Sequence, residues 1–224
     1  MMGARHLGWI PAAAAVGYGA SWLLADRLRL PVDLYYALYF GIVSGFLALY
    51  VPRTGLQVGR WLSRRRLLAA ALGVLGGLVL AAGVLARPGT ARLPDRPLAW
   101  DLVWRGLAYG TVDGVLLLAF PWLVTWRALG AETARWPRKL GAAALAWGAI
   151  LLVTTAYHLG YGDFRSRKIV QPNVGSSIGA VPTLLSANPA ASVVSHALLH
   201  VAAVVHAPRT DLYLPPHDGG GRAD

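Results

Sequence analysis

Six stretches of the chain are apolar over lengths that suit a membrane crossing better than a soluble core helix. Residues 7–25, 34–51, 67–86, 106–126, 140–160 and 190–206 are almost free of charge, and about 20 residues of helix traverse the hydrocarbon of a bilayer. The first run follows Arg5 and His6 and is closed by Asp26, Arg27 and Arg29. Its length and those basic residues favour a retained helix over a cleaved signal peptide. Small residues recur at every fourth position in two runs, Gly41 and Gly45 in the second and Ala69, Gly73, Gly77 and Ala81 in the third. Such strips let another helix backbone approach closely, within the bundle or in an oligomer or partner subunit.

Proline and polar residues punctuate this pattern. Pro88, Pro94, Pro97, Trp100 and Trp104 predict an interfacial segment before the fourth run, and Pro121 inside that run predicts a kink. Residues 174–187, with Pro172 just before them, Pro182 within them and the pair Ser176 and Ser177, read as a re-entrant or membrane-edge element before the last helix. Asn188 is placed to cap that helix, with Pro189 in its first turn. From 208 to 224, Pro215, Pro216 and three successive glycines predict a disordered polar tail.

The fold class expected is therefore all-α: a polytopic membrane helix bundle of about six transmembrane helices, forming one domain over residues 1–207. With six crossings both termini lie on one side. The basic cluster from Arg60 to Arg66 makes that the cytoplasmic side of the plasma membrane by the positive-inside rule.

Composition narrows the function classes. Only 14% of residues are charged against about 25% in soluble domains, and 56% are hydrophobic. The absence of cysteine excludes disulfides, iron–sulfur ligation, thiolate zinc sites and cysteine nucleophiles. A net charge of +11 could suggest nucleic acid, but the basic residues lie between apolar runs instead of gathering on one polar surface. They are placed for membrane lipids, anionic headgroups included.

Ionisable residues inside the apolar runs carry the chemistry, because each costs a few kcal/mol at bilayer depth unless it is paired or used. Four stand out: Asp113, His158, His196 and His200. His196 and His200 are four apart, so both imidazoles project from one helix face. With Asp113, and with His158 as a less certain fourth ligand, they offer the nitrogen and oxygen donors that zinc or non-haem iron accepts. If the last helix enters from the side where the fourth begins, Asp113 and His196 each lie about 10 Å below that surface, His200 about 16 Å and His158 about 3 Å.

A buried aspartate, a histidine and a terminal HxxxH together resemble the alkaline ceramidase and adiponectin receptor group of seven-helix zinc hydrolases. In that group a serine and a histidine precede the aspartate, whereas here His158 follows Asp113 and only six helices are counted, so membership is not assigned. The function expected is a metal-dependent intramembrane enzyme, with Asp113, His196 and His200 as its catalytic residues and a lipid ester or amide as substrate. A non-catalytic scaffold would account for the glycine strips, and a proton-coupled transporter would use Asp113 with the Pro182 and Pro189 breaks. A serine nucleophile at Ser176 or Ser177 opposite His196 is a further arrangement, and Arg165, Arg167 and Lys168 are placed to meet phosphate headgroups.

Overall fold

The protein is described by a computed structural model covering residues 6–91, 97–209 and 212–217. The described residues form eight helices with no strand: α1 (Trp9–Ala20, continued in a wider π-helical winding over Ser21–Arg27), α2 (Val32–Thr54), α3 (Val58–Ser63), α4 (Arg66–Leu85), α5 (Leu98–Ala128), α6 (Trp136–Leu159), α7 (Val170–Ser186) and α8 (Ala190–His206). Of these, α2, α4, α5 and α6 are long and apolar enough to cross a membrane, whereas α8 spans 17 residues and α1 is interrupted by its change of winding. The outward faces are apolar, with Leu75, Leu78, Leu145, Leu152 and Leu185 each more than half exposed. Large apolar patches of this kind disfavour water and fit a membrane protein.

At the centre stands α5, whose apolar window is 72% buried against 28–33% for the other three long helices. It is not uniformly wound. Two π-helical stretches, Leu102–Ala108 and Val115–Ala119, flank a short α-helical piece, Tyr109–Gly114, that carries Asp113. The second stretch ends just before Pro121, which has no N–H to complete the α-helical ladder. The kink expected from Pro121 is thus taken up as a local widening.

Hydrogen bonds fix the direction of the last two helices. Asn188, in the α7–α8 turn, donates from Nδ2 to the carbonyl of Leu62 at 3.2 Å and to that of Arg64 at 2.5 Å, just ahead of α4. Its Oδ1 also accepts the Ala190 N–H at 2.9 Å, the capping contact expected of it. At the other end the Thr90 N–H donates to the carbonyl of His206. Helix α8 therefore runs parallel to α4 and antiparallel to α5. Helix α7 returns along α6, joined to it by Thr154 to Ser176 and Thr155 to Asn173.

Two expectations change as a result. Residues 174–186 belong to a 17-residue helix packed against α4, α6 and α8, not to an irregular segment. Pro172 falls in the first turn, where its missing N–H has no partner to lose, and the polar side chains face α6 and α8. With α8 starting at the Arg64 end, an even number of crossings and a shared side for the termini lose their support. The tail differs as well. Leu214 and His217 are buried, and the Tyr36 hydroxyl donates to the carbonyl of Pro215 at 2.7 Å, so 212–217 pack onto the bundle. Residues 218–224 lie outside the described residues.

Candidate metal centre

Helix α8 reaches Asp113 because α5 presents glycine where the two backbones meet. A Cβ on Gly110 would stand 2.8 Å from the Cα of Ala197, one on Gly114 3.0 Å from the Cβ of His196, and one on Gly106 3.3 Å from the Cα of Val201. These three glycines repeat every fourth residue, the small-residue rule for close helix packing. The third-run strip behaves the same way on the far side of α8, where Gly73 and Gly77 meet Ala191, Val194 and Leu198. Gly41 and Gly45 face outward with nothing within 4 Å. Held between α4 and α5, α8 has no room to turn its histidines elsewhere.

His196 and His200 project from α8 toward Asp113, and one ligand atom from each of the three residues lies within 4.8 Å of the other two. All three are buried, Asp113 at 2% exposure, His196 at 8% and His200 at 4%. His196 Nε2 is 2.9 Å from Asp113 Oδ2 and 3.1 Å from His200 Nε2. The other carboxylate oxygen, Oδ1, accepts the Tyr39 hydroxyl at 2.6 Å. Tyr39 thereby fixes the carboxylate plane from α2, as outer partners of metal ligands do.

Neutral rings leave a conflict where His196 Nε2 faces both Asp113 and His200. If His196 carries its proton on Nε2, it donates to Asp113, and the facing Nε2 of His200 receives at most a shared contact. His200 then holds its proton on Nδ1, which lies beside the Tyr213 backbone without a hydrogen bond of good geometry. If His200 instead donates from Nε2, the lone pair of His196 faces a carboxylate oxygen. A cation resolves the conflict by accepting all three lone pairs. Two imidazole nitrogens at about 2.0 Å from one tetrahedral ion lie about 3.3 Å apart, close to the observed spacing. The group can hold a metal ion.

The site opens on a cavity of about 200 Å³ whose wall includes Asp113, His196 and His200, together with Tyr109, His158, Ser176, Gln171 and His217. His158 is thus on the cavity wall and outside the converging trio. Its Nδ1 lies 2.8 Å from the carbonyl of Thr154, which can only accept, so Nδ1 carries the proton and Nε2 is the basic nitrogen of the neutral ring. Ser176 is also on this wall, with its hydroxyl bonded to Thr154; Ser177 bonds the indole N–H of Trp147 at the surface. Neither serine is hydrogen-bonded to His196. Arg165 pairs with Asp26, and Lys168 with Asp163.

Beneath the aspartate lies a knot of tyrosines that the sequence reading passed over. The Tyr157 hydroxyl meets those of Tyr35, Tyr109 and Tyr161, at 3.0, 2.7 and 2.6 Å for the three in turn. Buried phenols need such partners, and these supply one another. Their signal was the spacing of Tyr35 and Tyr39 in α2 and of Tyr157 in α6 and Tyr161 just after it, each pair four apart beside an otherwise apolar run. Tyrosine ordinarily marks the ends of membrane helices, which hid this role.

A second missed feature is the buried pair of Asp101 and Arg105, 3.9 Å apart, where Arg105 also donates to the carbonyl of Pro208 and ties the tail to α5. Comparison of the chain with protein-family models, curated proteins and solved structures finds no match.

Proposed function

We propose that this protein is a metal-dependent membrane hydrolase that binds zinc or iron through Asp113, His196 and His200 and cleaves an ester or amide bond of a lipid. One observation carries the reading: three buried ligand atoms within 4.8 Å of one another, on the wall of a cavity large enough for a water and part of a substrate. Two histidines and a carboxylate match zinc hydrolase sites and the iron facial triad alike, and both leave coordination positions open. A bound ion would supply Lewis acidity, polarising the substrate carbonyl and making water a better nucleophile.

The chain's own residues do the rest. Asp113 is locked by Tyr39, and His196 is held between Asp113 and His200. His158 presents its basic Nε2 as the carrier of the proton that water gives up. Water oxygen bonds to the carbonyl carbon, the bond to the leaving oxygen or nitrogen breaks, and the proton passes to that leaving atom. The products are a free acid and an alcohol or amine.

The test is elemental analysis of protein purified in mild detergent without chelators or nickel resin, beside release of fatty acid from labelled lipids. About one zinc or iron per chain, with metal-dependent release, is the expected result. A metal-free protein under metal-replete conditions, inert on every lipid class, leaves a scaffold as the reading.

In this reading seven helices, all but α3, cross the bilayer, and the two ends of the bundle face opposite compartments. Reporters fused at residue 1 and residue 224 should therefore report opposite sides. The same side for both would return the bundle to an even number of crossings.

A further inference from the structure

Two glycines that line the cavity mark a gap in its wall. Gly83 of α4 and Gly175 of α7 both border the cavity, yet a Cβ on either would meet nothing within 4 Å among the described residues. Lower down the same two helices touch, where a Cβ on Gly76 would collide with the Pro182 ring and Leu80 reaches Gly179. The helices are therefore joined near their Arg66 and Ser186 ends and parted toward Leu85 and Val170. Val79 and Val174, more than half exposed on the bundle's outer face, also border the cavity, as do Leu80, Ile178 and Leu199 inside. An unbroken apolar path thus leads from the lipid-facing surface to the three-ligand site.

The polar end of that path carries positive charge. A basin of about 290 Å³ shares Arg87, Gln171, Leu212 and Tyr213 with the cavity and adds Lys168 and Asp163. Lys168 and Asp163 face each other at 3.3 Å, so their charges offset. Arg87 has its guanidinium 6.0 Å from the centre of the Tyr213 ring and makes no carboxylate pair among the described residues. Among the described residues it leaves the basin net positive just past the end of α4. His206 touches the Arg87 carbonyl at 2.7 Å, and His200 is six residues back along α8, about 9 Å deeper. A ligand with its charged group at Arg87 places its polar–apolar junction at that depth.

We infer that the cavity is entered sideways from the bilayer between α4 and α7, and that its ligand is an anionic lipid whose headgroup lies against Arg87. What is then done to that lipid rests on the hydrolase reading; its entry and its charge preference do not.

The test uses the full protein in nanodiscs with phosphatidylglycerol carrying a photoactivatable diazirine halfway along one acyl chain, or the phosphatidylcholine counterpart. Labelled peptides are mapped and the metal is assayed in parallel. The expected result is labelling of cavity residues on α7 and α8, Ser176 and Leu199 among them, stronger for phosphatidylglycerol. Arg87→Gln should lower that preference about fivefold, the factor for ~1 kcal/mol per basic residue at an anionic surface. Gly83→Trp and Gly175→Trp project into open space, so the fold and metal content should survive while cavity labelling is lost.

Excess soluble glycerol phosphate should not compete; complete competition would mean that the headgroup binds from water and would overturn bilayer entry. Unchanged labelling in both tryptophan variants, or label confined to the outer leucines 75 and 78, would overturn the portal. Labelling without bound metal would uphold the portal and defeat the hydrolase reading alone.

Discussion

Alanine at His196 or at His200 is expected to abolish metal binding at the proposed centre while the bundle stays folded. Each histidine supplies one of three ligand atoms, and α8 is held by its glycine contacts with α4 and α5, not by the imidazoles. Loss of one ligand should lower metal affinity more than a hundredfold. Changes to groups that merely hold ligands cost about 10–100-fold, and Tyr39→Phe should fall in that range because it removes only the bond to Asp113 Oδ1. The comparison is made by competition with a chelating dye on protein of matched helicity. Equal affinities in wild type, Tyr39→Phe and His196→Ala would mean that metal binds elsewhere or not at all. His196→Ala strips Asp113 of its nitrogen partner, so the metal-free His196→Ala protein should melt lower than metal-free His200→Ala.

Leucine at Gly110 should damage packing and the candidate metal site together. Even a Cβ there would stand 2.8 Å from the Cα of Ala197, a backbone atom with no rotamer through which to yield. The added isobutyl group forces α8 away from α5, separating His196 and His200 from Asp113. Overpacking in a well-filled core costs about 1–3 kcal/mol. Metal binding at the proposed centre should be lost as well, since the candidate ligands sit on the two helices being parted. Gly41→Ala has the opposite sign: its side chain meets open space, and alanine in a helix gains about 0.5–1 kcal/mol over glycine. Thermal unfolding in detergent with bound-metal analysis checks both; a Gly110→Leu protein with wild-type melting and full metal would contradict the packing account.

Helix positions were legible in the sequence wherever charge bounded an apolar run. The run 34–51 became Val32–Thr54, 67–86 became Arg66–Leu85, and 190–206 became Ala190–His206. What misled was α7, because Pro172, Pro182 and the serine pair read as breakers when their costs are met by neighbours: Ser176 by Thr154, Thr183 by Ser192, Ser186 by the Pro182 carbonyl. Such compensation is tertiary and leaves no periodic trace.

The trio of Asp113, His196 and His200 was visible because buried charge is rare in hydrocarbon. The depth argument for it assumed the wrong direction for α8. It placed the residues together because His196 lies toward the middle of a 17-residue helix, where reversal moves it little. Tyr39 and the strip of Gly106, Gly110 and Gly114 stayed hidden, since a tyrosine or glycine declares no partner until the helix opposite is known.

The bond from Tyr39 to Asp113 also bears on how the chain is made. Asp113 follows Tyr39 by 74 residues but precedes His196 by 83. At about 5–20 residues per second, a ribosome takes roughly 4–17 s to reach the histidine after completing the aspartate. Throughout that interval the nascent chain carries an acidic side chain at membrane depth, and Tyr39 is the partner already synthesised. The phenol that bonds Asp113 is thus available as its first partner during synthesis, before either histidine exists.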